Sequence, residues 1–551
     1  MTHRVRPIIP VLLTVAAALL VFVSLVVPDQ LGKLKPGYWL PGAFLRLPIE
    51  AIVAAAVLLV VPVRLRKPAA LAIGAGIGAL TLLKVINVGF LLNLNRRFDP
   101  VLDWPLLGDG FNYVEETSGR PIAVLAAVGA AAGGIALIGV TALAVLRLSG
   151  IAARHHRTAV RAVPAVIAAW VAFALVGVTL FPYAPVASDS TVMLAKNTLL
   201  RVPKALEEQR AFAAEAQNDH FRDVPAGQLL RGLAGKDVVI GVVESYGRSA
   251  LDNPKMAATV GPALDAADAQ LKAAGFGARS GYLTSSTYGG GSWLAHATFQ
   301  TGLWIPNQGR YRQAMASNRT TLTKSFQRAG WHTVAMEPGN KHTWPEAGFY
   351  GYEEVWDSRN LGYKGPQFGW SSMPDQYTLS VFQKQVYAQP RRAPLFAEVT
   401  LTSSHTPWAP LPEMVDWDAI GDGSIYGPIA ARSAQKDETW QSTGKVRGAY
   451  AQSVAYSMDS LISWATKYGN DDLVMVIFGD HQASPRVSGQ DAGHDVPISI
   501  VAKDPAVLDR IASWGWTPSM RPDDDAPVKG MDKFRDLFLS AYAAPFGSRT
   551  H

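Results

Sequence analysis

The chain contains no cysteine in its 551 residues. Disulfide bridges and thiolate metal sites are therefore both excluded. An exported domain made from this sequence has to hold together by the size of its core alone. Charge is also scarce: Asp, Glu, Lys and Arg make up 17% of the chain, and the formal net charge is only +7. Neither an internal repeat nor a nucleic-acid-binding signature is present, so nucleic acid is not an expected partner.

Apolar residues are abundant, at 49% of the chain, and they are concentrated before about residue 187. Five stretches have the length of bilayer spans, at roughly 8–28, 46–64, 69–92, 122–146 and 164–183. The first follows T-H-R-V-R and has no small-residue cleavage pattern after Val27, so it reads as an uncleaved helix. The connectors Arg64–Lys67 and Arg147–Arg161 are basic and belong with the N-terminus on the cytoplasmic side. Asn93–Arg120 carries Asp99, Asp103, Asp109, Glu115 and Glu116 and suits the outer side, as an interfacial segment. An odd number of spans then puts the rest of the chain outside the cell membrane. Two ionisable residues stand near or within the spans: Glu50 at an interface, and Lys84, which either snorkels or pairs inside the bundle. The expected division is a membrane domain at 1–187, a linker with a helix near Leu199–Ala216 at 188–236, and an extracytoplasmic domain at 237–551.

Beyond the linker the pattern alternates. Asp237–Val243, Trp331–Met336, Leu395–Leu401, Leu473–Phe478 and Val496–Val501 read as buried strands. Met256–Ala274, Leu322–Ala329, Ala449–Lys467 and Met531–Ala543 read as helices. This alternation predicts an α/β domain around a mostly parallel sheet, with its ligand beyond the carboxyl ends of the strands.

The chemistry gathers at those ends. Glu244 follows the first strand, and Asp480-His481 follow the Leu473–Phe478 strand. Between them lies Gly281–His296, where Gly289-Gly290-Gly291 deliver Ser292 into the start of a helix, a place suited to handling an anion. The plain alternative is a flexible loop with a serine cap. Glu244, Ser292, Asp480 and His481 supply three oxygens and one nitrogen, a set that suits Mn²⁺, Mg²⁺ or Zn²⁺. A metal-bound Ser292 hydroxyl is a nucleophile for in-line attack on phosphorus, giving a phospho-serine. Thr287 is a second candidate nucleophile. His296 lies one turn after Ser292 and is a candidate for orienting substrate. His494-Asp495 stand ready as a supporting or second metal group.

These residues carry a resemblance. V-V-E-S-Y-G (242–247), G-G-G-S-W (289–293), T-S-S-H-T-P-W (402–408) and F-G-D-H (478–481) resemble the alkaline phosphatase/sulfatase superfamily. Within it the chain is most similar to the membrane-anchored lipoteichoic acid synthase and phosphoglycerol transferase group. The resemblance implies five spans and an extracytoplasmic catalytic domain. It implies one divalent metal, Mn²⁺ preferred, held by Glu244, Ser292, Asp480 and His481. His405 would stand near the transferred phosphate, with His342 and Trp344 around the headgroup. Lys341 and Arg359 are candidate contacts for an anionic headgroup. Trp293, Trp304, Trp344, Trp356, Trp370 and Trp408 divide between core and an aromatic entrance, with Phe368–Met373 as its rim.

Two departures bear on the substrate. The synthases use threonine where this chain has Ser292. The S-W-L-A-H segment lacks the pattern that formylglycine sulfatases require. The expected activity is transfer of a phosphoglycerol-type group from an anionic membrane phospholipid to a hydroxyl of a cell-envelope polymer, glycan or lipid. A membrane-anchored phosphatase, phosphodiesterase or sulfatase-like hydrolase is the alternative, and a catalytically silent scaffold is the alternative of another class.

Overall fold

The computed structural model describes residues 8–27, 44–181, 184–370, 372–390 and 393–543. The basic flank Thr2–Arg6, the final residues of the first and fifth expected spans, Ser371 in the expected rim loop, and the tail 544–551 lie outside the described residues. The chain forms two compact units, 1–92 with 96–208, and 93–95 with 209–551.

The first unit is helical: α1 (Ile8–Val26), α2 (Ile49–Val60), α3 (Val63–Leu94), α4 (Leu106–Ser118), α5 (Arg120–Arg154) and α6 (His156–Val176). α1, α3, α5 and α6 are long and apolar enough to cross a membrane. The second expected span differs. Its helix α2 has 12 residues, a rise of ~18 Å against a hydrocarbon core of ~30 Å. Pro62 separates it from α3, since the residue before a proline is pushed out of the helical region. Among the described residues there are thus four candidate spans, with α2 as a shorter apolar helix.

Small residues let two of these helices meet backbone to backbone. A Cβ on Gly74 would lie 2.6 Å from the Ala142 Cα, and one on Gly78 2.7 Å from the Ile138 Cα. This is the close approach that a Gly-x-x-x-Gly spacing permits in a membrane bundle. The two ionisable residues are both used at helix ends. Lys84 is buried and donates to the carbonyls of Ser24 and Leu25 at 3.1 and 2.9 Å, which belong to the last turn of α1. Glu50 Oε1 accepts from the backbone N–H groups of Thr191 and Val192, both at 2.8 Å, in the first turn of α7 (Ser190–Gln217). A cation at carbonyl ends and an anion at N–H ends each satisfy groups a helix leaves unpaired. Asn93–Arg120 contains α4, and within it Asp103 is buried against Arg96 at 2.6 Å.

The second unit is built on an eight-stranded sheet. In chain order the strands are β1 (Asp237–Val243), β2 (Gly277–Thr284), β3 (His332–Glu337), β4 (Glu354–Asp357), β5 (Leu395–Leu401), β6 (Leu473–Gly479), β7 (Asp495–Ala502) and β8 (Val528–Gly530). Their spatial order is β8-β2-β7-β6-β1-β5-β3-β4. The sheet is mixed: β7 runs antiparallel to both β6 and β2, and the remaining pairs are parallel. The short strand expected at Val496–Val501 is therefore the reversed one. β2 was not foreseen, because its Gly-Ala-Arg-Ser-Gly start breaks the apolar run that marks a buried strand.

Continuous apolar runs arise because both faces of the sheet are covered. In β6, Leu473, Met475 and Ile477 join one core, while Val474, Val476 and Phe478 join the other. β1 alternates likewise, with Val239 and Val243 on one side and Val238, Ile240 and Val242 on the other. The first core is closed by α8 (Pro254–Ala273) and α10 (Thr443–Tyr468), the second by α9 (Ser292–Thr301) and α11 (Met531–Ala543).

Candidate functional site

The register of two central strands creates the site. β1 and β6 are parallel neighbours with Val243 opposite Gly479, so the next residues, Glu244 and Asp480, leave the sheet side by side. The turns beyond them interlock at two glycines. A Cβ on Gly479 would fall 1.8 Å from the Tyr246 carbonyl oxygen, and one on Gly247 would fall 2.7 Å from the Gln482 Cα. The glycines of V-V-E-S-Y-G and F-G-D-H are there for this close approach.

Hydrogen bonds then fix the Asp480 carboxylate and the backbone of both turns. Asp480 Oδ1 accepts from the N–H groups of Ser245 and His481 at 2.7 and 2.8 Å. Ser404 Oγ donates to the Glu244 carbonyl and Ser285 Oγ to the Asp480 carbonyl, both at 2.6 Å. His481 Nδ1 donates to the Gln482 carbonyl at 2.8 Å, which leaves the Nε2 lone pair facing the carboxylates. Nε2 lies 3.4 Å from both Glu244 Oε1 and Asp480 Oδ2.

Ser292 is brought to the same point by the glycines and by packing. Gly289, Gly290 and Gly291 all have positive φ, and Gly291 occupies the N-cap position of α9, so Ser292 is not the capping residue. Phe299 on α9 stacks on Phe478 of β6 and Phe534 of α11, with ring centroids 4.0 and 4.5 Å apart. The hydroxyl of Ser292 lies 3.0 and 3.2 Å from the two Glu244 carboxylate oxygens and 3.1 Å from His481 Nε2. Thr287, the other hydroxyl considered, has its Oγ1 buried without a hydrogen-bond partner.

Asp480 and His481 are at most 1% exposed, and Glu244 is 4% exposed. Burial, and then the neighbouring Glu244 charge, push the Asp480 carboxyl up to about 6. Its Oδ2 is buried with no hydrogen-bond partner. Two buried carboxylates, an imidazole lone pair and a hydroxyl share one point, with one carboxylate oxygen orphaned. That is the donor set of a divalent cation site, and these residues fit one; Glu244, Asp480 and His481 have ligand atoms within 4.8 Å of one another.

The other expected residues lie as follows. His405 sits in the loop after β5, its ring stacked on Trp370 at 4.4 Å and its Nδ1 donating to the Thr406 carbonyl at 2.6 Å. The loop is pinned by Asp375, which sequence reasoning missed: its Oδ1 accepts from the Ser403 N–H at 2.9 Å and its Oδ2 from the Ser457 hydroxyl at 2.6 Å. Arg359 is committed to Asp357 through two nitrogens. Trp344 packs against Tyr350 and Tyr352, while His342 is exposed and Lys341 half-buried. His494 Nδ1 donates to the Ser285 carbonyl at 3.2 Å. The Asp495 carboxylate accepts from Thr284 Oγ1 at 2.8 Å. Among the tryptophans, Trp408 is core, buried and parallel to Trp440, while Trp293 is exposed.

His296 does not join the Ser292 group. Its Nδ1 faces Glu398 Oε1 at 3.2 Å, in a second cluster that includes Glu337. Neither carboxylate was anticipated, yet Glu398 left a signal: it is the one charge inside the apolar run L-F-A-E-V-T-L.

The strand-end carboxylates, the buried imidazole and the serine on a facing helix all lie within a stretch that one known family model matches. Residues 238–499 match the family model described as Sulfatase. No curated protein sequence matches the chain. Among solved structures, the chain is similar to the lipoteichoic acid synthase LtaP from Listeria monocytogenes, with 13% identity, a TM-score of 0.37, and 61% of this chain and 78% of that one covered. It is similar to the phosphoglycerol transferase GacH of Streptococcus pyogenes, solved with sn-glycerol-1-phosphate, with 14% identity, a TM-score of 0.35, and 61% and 92% covered. The soluble domain of lipooligosaccharide phosphoethanolamine transferase A from Neisseria meningitidis is also similar, with 14% identity, a TM-score of 0.36, and 59% and 90% covered.

Proposed function

We propose that the protein is a metal-dependent phosphotransferase of the cell membrane. It moves a phosphoglycerol-type headgroup from an anionic phospholipid to a hydroxyl of a cell-envelope polymer, glycan or lipid. The observation that carries this reading is the Ser292 hydroxyl within 3.2 Å of Glu244 and His481, beside the unpartnered Asp480 Oδ2. Glu244, Ser292, Asp480 and His481 would hold one divalent cation, with Mn²⁺ preferred. When bound, that cation polarises phosphoryl oxygen and lowers the pKa of the hydroxyl it touches.

The chain's own residues do the rest. Ser292 gives its proton to the Glu244 side as its oxygen bonds to phosphorus, and the bond from phosphorus to the diacylglycerol oxygen breaks. The leaving diacylglycerol takes up a proton. In the second half, an acceptor hydroxyl gives up its proton as its oxygen bonds to phosphorus, the bond from phosphorus to Ser292 Oγ breaks, and Ser292 takes up a proton. His405, steadied by Trp370, is assigned to the phosphoryl oxygens. His342 and Trp344, with Lys341 and His494 more remotely, are assigned to the headgroup; Arg359 serves there only if it leaves Asp357.

The functional division at 1–187, 188–236 and 237–551 belongs to the same reading, with the N-terminus cytoplasmic and the catalytic domain outside. That orientation requires α2 to count as a fifth crossing, completed by the residues flanking it.

The test is to incubate the purified protein and Mn²⁺ with headgroup-labelled phosphatidylglycerol and find the covalent label by mass spectrometry. A label on Ser292 that disappears in Ser292→Ala is expected. Label on another residue, or none with Mn²⁺, Mg²⁺ or Zn²⁺, overturns the reading. Diacylglycerol with labelled acceptor marks transfer, whereas free glycerol phosphate marks hydrolysis.

A further inference from the structure

His296, Glu337 and Glu398 lie on three elements. His296 is one turn into α9, Glu337 ends β3, and Glu398 is central in β5. β3 and β5 are parallel neighbours with Ala335 opposite Glu398. Glu337 is two residues further along, so its side chain falls on the same face as Glu398. That is the face toward α9, because Phe396, two residues before Glu398, belongs to the α9-side core.

Each carboxylate is anchored by one oxygen. Glu398 Oε2 accepts from the Tyr352 hydroxyl at 2.7 Å and from Gln300, which leaves Oε1 toward His296. Glu337 Oε1 accepts from Thr400 Oγ1 at 2.9 Å. Partners on one oxygen that aim the other are what ligating carboxylates have. His296 Nε2 is buried with no hydrogen-bond partner. The His296 side chain pairs with Glu398, and its charge also acts on Glu337.

We propose that His296, Glu337 and Glu398 form a second divalent-cation site, distinct from the Ser292 cluster. One imidazole nitrogen and two carboxylate oxygens, with ligand atoms within 4.8 Å of one another, suit a first-row cation such as Mn²⁺ or Zn²⁺. The charge count agrees. Glu398 holds the His296 imidazole protonated up to about 9 in spite of burial, and burial raises the Glu337 carboxyl to about 7. Near neutrality the metal-free cluster thus holds the His296 proton and about half of a Glu337 proton, which a divalent cation would displace. A cation here ties the helix that carries Ser292 to two strands of the sheet.

The experiment uses full-length protein in detergent, dialysed to equilibrium against Mn²⁺ alone and, separately, Zn²⁺ alone, with bound metal measured by elemental analysis. The expected result is about two ions per chain in the wild type and about one in Glu337→Gln, Glu398→Gln and Asp480→Asn. Glu337 is the less buried carboxylate, so Glu337→Gln decides the matter if Glu398→Gln does not fold. A single ion that Asp480→Asn loses and Glu337→Gln keeps overturns the proposal and leaves the Ser292 cluster standing. A single ion with the opposite pattern supports this site and removes the other. No bound ion of either metal overturns both.

Discussion

Ser292 Oγ stands 3.1 Å from His481 Nε2, although 189 residues separate them in sequence. The contact joins the first residue of a helix on one face of the sheet to the turn beyond a central strand. It makes Ser292 the hydroxyl to test. Ser292→Ala should lower transfer by on the order of 10³-fold or more, because the covalent route is lost. Ser292→Thr keeps a hydroxyl and should retain activity within about tenfold of wild type. Steady-state rates on labelled phosphatidylglycerol, with circular dichroism to check folding, separate these outcomes.

Removing Glu244's charge should uncouple metal binding from folding. Glu244→Gln is expected to reduce Mn²⁺ affinity at the Ser292 cluster by on the order of tenfold to a hundredfold or more. Treating the wild type with a chelator should abolish transfer, and Mn²⁺ should restore it. Isothermal titration of metal into the chelated protein gives the affinities; an unchanged affinity in Glu244→Gln would remove this residue from the ligand set.

Gly479 tests the interlocked turns. Its missing Cβ leaves room for the Tyr246 carbonyl, which would otherwise be 1.8 Å away. Gly479→Ala must push backbone against backbone, at an expected cost of about 1–3 kcal/mol. It should also separate Glu244 from Asp480 and depress activity more than stability. Thermal unfolding measured beside turnover distinguishes this from a plain loss of folding.

Trp370 should act through His405, since the two rings stack at 4.4 Å. Trp370→Ala is expected to lower kcat/KM by roughly tenfold through loss of orientation, with little change in the melting temperature. A variant with wild-type kinetics would show that His405 needs no such support.

Asp375 gives stability a pH dependence. Burial raises its carboxyl from 3.8 to about 6, against hydrogen bonds from Ser457 and Ser403 that favour the charged form. In this case the folded state holds the proton more tightly than the unfolded state. Between about pH 4 and 6 the folded state therefore binds more protons, and stability falls as pH rises through that window. Asp375→Asn removes the titration. The melting temperature of the wild type relative to Asp375→Asn should rise as the buffer is taken from pH 7 toward pH 4; a constant difference would contradict the assignment.

The sequence by itself determined the strands that are buried on both faces. Asp237–Val243 and Leu395–Leu401 have the same limits in both readings, because two covered faces require an unbroken apolar run. It also determined which residues end those strands, and hence Glu244, Asp480 and His481. The glycine triplet marked Ser292 because only glycine takes three successive positive φ values at no steric cost. Only tertiary structure decided what strand pairing, register and helix docking control. The reversal of β7, the interlocked glycines and the anchoring of the His405 loop by Asp375 all depend on partners distant in sequence. The same holds for His296. One turn from Ser292, it reads as a neighbour of the nucleophile, but the strand face bearing Glu337 and Glu398 draws it into a separate cluster. A side chain's neighbours within a helix follow from spacing, whereas those across a helix–sheet interface depend on how the two surfaces dock.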